Sequence, residues 1–191
     1  MINCIALESQ PHRERKRARL DAAALWEYAL RVLAGRAHST GELREKLRGK
    51  AERASDVDPT IARLKEYGYL NDRKFAESFA AARLENEGLG KTRVLADLSR
   101  RRVAPAVAQQ TVGKVYEDVN EQALAEDFVR RKFHMLPREN LWRDEKQMAS
   151  AYRRLVRAGF RSATAMAVLK KFARNPDLLD AFEPPEETAE E

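Results

Sequence analysis

The sequence predicts an all-α protein, an elongated array of three tandem three-helix repeats of helix-turn-helix-like kind. Three observations carry that expectation. Charged residues make up 35% of 191 residues and aromatics only 7%, with modest glycine and proline, a balance suited to solvated helices rather than many-stranded sheets. Apolar residues recur at i, i+3, i+4 and i+7 through most of the chain. The same order of helix, cap and stop then occurs three times, which points to repetition.

Residues 1–20 lack a periodic apolar face, and within them residues 11–19 hold Arg13, Arg15, Lys16, Arg17 and Arg19 against Glu14 alone, so they are expected to form a disordered basic arm. The first repeat is placed at residues 21–72. Leu25, Tyr28, Ala29, Val32 and Leu33 mark its first helix. Ser39-Thr40-Gly41-Glu42 offers a capping box for the second, which carries Leu43 and Leu47. Asp58-Pro59 is expected to cap the third, with Ile61 and Leu64 on its buried face.

Gly68-Tyr69-Leu70-Asn71-Asp72, with Phe75, reads as the joint between the first two repeats. Gly68 suits a left-handed helix stop and Asn71 or Asp72 the next N-cap, while Tyr69 and Leu70 are expected to bury themselves between the units. The second repeat, residues 73–119, has Phe75, Ala76, Phe79 and Ala82, then Val94, Leu95 and Leu98, then Val107, Val112, Val115 and Tyr116 entered through Ala104-Pro105. The third, residues 120–175, has Leu124, Ala125, Phe128 and Val129, then Met148, Ala151, Tyr152 and Leu155, then Ala165, Val168, Leu169 and Phe172 with Ser162 as the expected cap. It differs in a longer internal connection, residues 133–145, that contains Pro137 and Trp142. Residues 176–191 are expected to be an acidic, largely disordered tail, with a short helical turn at residues 178–182.

Charge is distributed unevenly. The net +6 of the whole chain becomes +13 without the seven carboxylates of residues 177–191, and a body of that sign favours a polyanionic partner. The second helices hold the informative cations: Arg44, Arg48 and Lys50; Lys91, Arg93, Arg100, Arg101 and Arg102; Arg153, Arg154, Arg157 and Arg161. Stacked in register, they would form a discontinuous basic band suited to a repeating polyanion. The alternative is a solvated surface paired with carboxylates such as Glu42, Glu45, Glu66 and Asp97.

Other chemistry finds little support. Gly88-Leu89-Gly90-Lys91-Thr92 resembles the end of a phosphate-binding loop, but Glu85 stands where the motif needs its first glycine. The three histidines have no metal-ligand spacing, and Cys4 is the only cysteine, which excludes an internal disulfide. His38, just before a helix cap, is expected to cap or pack. No catalytic residue, metal or cofactor is expected, nor any membrane segment, so the expectation is a cytoplasmic monomer.

The segment Arg36-Ala37-His38-Ser39-Thr40-Gly41-Glu42-Leu43 with Lys46-Leu47, the joint 68–76, then Gly90, Arg93, Val94 and Leu98, and finally Arg157-Ala158-Gly159-Phe160 together resemble the bacterial RecX family of recombination regulators. Ala51 and Arg102 stand where that family has a glycine closing the second helix, and Gly35 replaces a more usual charged residue. The resemblance implies a non-enzymatic regulator of DNA repair and the SOS response. It would bind RecA and the RecA–DNA filament, damping ATP hydrolysis and strand exchange, with weak sequence-independent DNA binding. A helix-turn-helix-like transcription regulator and a repeat scaffold for another acidic partner are the competing readings. The acidic tail could fold over the basic band and compete with DNA.

Overall fold

The computed structural model describes residues 19–133 and 145–173. The basic arm up to residue 18, the internal connection with Trp142 and the acidic tail lie outside them, as do Cys4, His12 and His134. Among the described residues nine α-helices follow in order: α1 (Ala22–Gly35), α2 (Thr40–Arg48), α3 (Val57–Glu66), α4 (Asp72–Ala82), α5 (Lys91–Arg100), α6 (Pro105–Val115), α7 (Glu121–Lys132), α8 (Glu145–Arg157) and α9 (Ser162–Phe172). They enclose three separate cores, one for each consecutive set of three helices. The fold is all-α and tandem.

The first core gathers Leu25 and Ala29 of α1, Leu43 and Leu47 of α2, and Val57, Ile61 and Leu64 of α3, closed by Leu70. The second uses smaller side chains, Ala76, Ala80 and Ala108 with Val94, Leu98 and Val112, and half-buried Phe75 and Phe79 stack beside it at 6.1 Å. Ala82, expected on this buried face, is exposed, and Ala80 takes its place because it lies one turn after buried Ala76, at i+4, while Ala82 at i+6 falls on the other side of the helix. The third core holds Phe128 edge-on to Phe160, with Met148, Leu155 and Leu169 fully buried. Leu89 packs against both the second and third cores.

Several caps differ from expectation. The Ser39–Glu42 capping box forms, and Asn71 and Asn120 cap α4 and α7 through their side chains. Helix α3, however, begins at Val57 after a short 3₁₀ turn, so Asp58 lies inside its first turn and bonds Arg44 instead of capping. Ser162 is the first residue of α9 and shares a hydrogen bond with the Tyr152 hydroxyl at 2.7 Å, leaving Arg161 as N-cap. Arg19 and Leu20 do not belong to a free arm: Leu20 pairs with Ala51 in a parallel bridge at the end of α2.

Candidate nucleoprotein interface

The second helix of each unit meets that of the next by its end. The N-terminus of α2 packs on the C-terminus of α5, where the Ser39 hydroxyl donates to the Arg101 carbonyl and Arg101 pairs with Glu42 at 3.0 Å. The N-terminus of α5 packs likewise on the C-terminus of α8, where the Gly90 amide donates to the Ala158 carbonyl at 2.8 Å. The series α8, α5, α2 is therefore head to tail, each positive helix N-terminus against the negative end of its neighbour. Close approach explains the glycines here. A Cβ at Gly41 would run into the Arg102 backbone, and one at Gly90 into that of Gly159.

Arg102 and Gly159 occupy the same place after α5 and α8, and both are left-handed, at φ 57° and 91°. The missing glycine at Arg102 thus leaves an arginine in the strained region, whereas Ala51 has no positive φ and is simply buried beside Leu20.

The predicted cations divide into two groups. Arg44 pairs with Asp58 at 2.9 Å, Arg101 with Glu42, Arg102 with Glu45 at 3.3 Å, and Arg161 with Glu121, so these hold units or loops together. Arg93 and Arg100 converge on Asp97 at 3.2 and 3.0 Å, and Arg83 lies at 4.0 Å from the same carboxylate. Arg154 lies over the Phe133 ring at 5.1 Å. Arg48, Lys50, Lys91, Arg153 and Arg157 form no ion pair among the described residues, and all but half-buried Lys50 are exposed. The sequence spacing found the cations but not the split, because Glu42 and Arg101 are distant in sequence and meet only through the junction.

Burial works against the charge on Glu42, yet hydrogen bonds from Arg36, the Ser39 amide and Arg101 hold its carboxyl below the usual range. Burial pushes His38 down against the opposing effect of the Arg36 carbonyl, which lies 2.9 Å from Nδ1 and holds a proton on that nitrogen. Partial burial raises half-buried Tyr116 to about 12, and its hydroxyl donates to the Leu89 carbonyl at 2.8 Å.

At the joint, Gly68 has φ 75° and Leu70 is buried. Asp72 accepts the Thr40 amide at 2.7 Å, reaching back to the start of α2. Tyr69 departs from expectation: it is 56% exposed, because the left-handed turn at Gly68 directs it outward beside Tyr67. Among the described residues no helix is long and apolar enough to cross a membrane, and no group of three or more metal-ligating side chains converges.

Residues 26–64 match the model of the first three-helix domain of RecX and residues 71–112 that of the second. The regulatory protein RecX of Deinococcus radiodurans is 32% identical over 169 residues, covering 87% of this chain and 77% of that protein. The chain belongs to the RecX family. RecX of Trichlorobacter lovleyi is 31% identical over 143 residues, 75% of this chain and 92% of its own. The RecX crystal structure from Lactobacillus salivarius shares the fold at a TM-score of 0.59 and 18% identity, covering 79% of this chain and 96% of that one. The residues matched to the first RecX domain include the capping box of α2, and those matched to the second include Gly90 and Arg102.

Proposed function

We propose that this RecX-family protein regulates RecA by binding it and its filament on DNA, slowing ATP turnover and strand exchange, and that it does so without a catalytic centre. The head-to-tail order of α8, α5 and α2 carries the reading. It puts Arg153 and Arg157, Lys91, and Arg48, which have no ion pair among the described residues, on three successive segments of about 14 to 20 Å, an arrangement suited to a repeating, negatively charged partner. A regulator of this kind needs only to favour one filament state over another. A chromosomal partner places it in the cytoplasm, and one chain supplies the whole band, so a monomer suffices.

Sequence-specific transcription control is the weaker reading. A recognition helix reads bases with its N-terminal turn, yet the first turns of α3, α6 and α9 contain no Lys or Arg, and that of α3 carries Asp58. DNA binding should instead be weak, salt-sensitive and indifferent to sequence. Titrating the protein into RecA, single-stranded DNA and ATP tests the proposal: turnover should fall progressively, and unaltered turnover at saturation would refute it.

A further inference from the structure

Tyr67 and Tyr69 are the large hydrophobic side chains most exposed to solvent among the described residues, at 60% and 56%. They are neighbours on one support. Trp26 of α1 meets Tyr67 edge-on at 5.9 Å and Tyr69 at 6.5 Å, and the two tyrosine rings lie 6.5 Å apart. Isolated exposed aromatics need no explanation, but two held by a shared tryptophan form a prepared surface. The Arg63 guanidinium sits over the Trp26 ring at 4.2 Å and within 5.5 Å of Tyr67.

Tyr69 is also one wall of an open groove of about 420 Å³ between the first two units, and Phe75 and Phe79 form the other wall. Its remaining lining is Ala37, Gly68, Asn71, Ser78 and Lys74, with no carboxylate. Arg101, which is paired with Glu42, lies 5.7 Å from the Phe79 ring. Aromatic faces, the Lys74 ammonium and a lining without carboxylates match the needs of unpaired bases joined by phosphates. Duplex bases are already stacked and have no free face to offer. An acidic aromatic peptide would satisfy the charge, but the two neighbouring tyrosine faces favour successive flat rings.

We propose that the groove between Tyr69 and the Phe75–Phe79 pair, with Tyr67 beside it, binds single-stranded nucleic acid by stacking unpaired bases on the two tyrosines while Lys74 and Arg63 meet the phosphates. This surface is separate from the unpaired cations of the second helices and does not rest on the RecA reading, since DNA alone is the probe.

Binding of a labelled oligothymidylate of about fifteen nucleotides, followed by fluorescence anisotropy with the full chain, tests it. Tyr69→Ala should lower affinity about tenfold and Tyr69→Phe should restore it, because the ring face and not the hydroxyl does the stacking. Lys74→Gln should make the salt dependence shallower by about 0.7 in log–log slope, whereas Tyr69→Ala should leave that slope unchanged. Exposure of Tyr69 makes the variants compatible with folding, which unfolding curves would check. Tyr69→Ala binding within twofold of the parent would overturn the proposal, and so would equal losses for duplex and single strand. Retained oligothymidylate affinity with weakened binding of an acidic aromatic peptide would overturn it in favour of a peptide site.

Discussion

The two junctions between units solve one geometric problem with different chemistry. Where α5 meets α8, contact is made by backbone: the Gly90 amide bonds the Ala158 carbonyl, glycine faces glycine, and Leu89 enters both cores. Where α2 meets α5, side chains do the work, with Ser39, Glu42 and Asp72 set against Arg101 and the Thr40 amide, and Arg102 in the place of a glycine. A backbone contact is insensitive to pH and salt. A contact made through half-buried ion pairs is sensitive to both, so the link between the first two units is the adjustable one.

That contrast can be broken most severely at Gly159. Gly159→Ala combines a positive φ with collision against the Arg93 backbone and should destabilise the protein by about 3 kcal/mol in urea unfolding. Gly41→Ala meets the Arg102 backbone at an ordinary φ, so a smaller loss of about 2 kcal/mol is expected, with faster amide exchange at the start of α2. Acid should separate the two junctions. The Glu42 and His38 values are both lowered by folding, so their stabilising contribution is complete above the ordinary ranges and is lost as pH falls through the folded values. Amide protection at Thr40 should therefore drop first on acidification while that at Gly90 persists; parallel loss would remove the distinction. Smallest of all, Arg102→Gly should relieve the left-handed strain and stabilise by up to about 1 kcal/mol, since the ion pair it gives up with Glu45 is exposed.

Helix order was legible in the sequence because each buried face repeats at helical spacing, as Leu43 with Leu47 and Val94 with Leu98 show. Positions governed by contacts between units were not. Tyr69 looks like a buried anchor beside Leu70, and only the turn at Gly68 sends one inward and the other outward. Ser162 looks like a cap, but the Tyr152 hydroxyl claims its side chain from α8. The cations were found as a set because charge is visible in one dimension. Asp97 pairs with Arg93 and Arg100 at helical spacing within α5, but the neutralisation of Arg101 and Arg161 depended on Glu42 and Glu121 arriving from elsewhere. Arg63 on Trp26 had no periodic signature at all.

The claim that exposed cations along the aligned second helices grip the RecA filament has a direct test. Arg48→Gln, Lys91→Gln, Arg153→Gln and Arg157→Gln in one protein remove exposed charges, without an ion pair among the described residues, from all three units and touch no core. With RecA filaments on single-stranded DNA, the concentration that halves ATP turnover should rise at least about tenfold and depend less steeply on salt. A fully folded quadruple variant that inhibits at the parent's concentration, with the parent's salt dependence, would contradict the account.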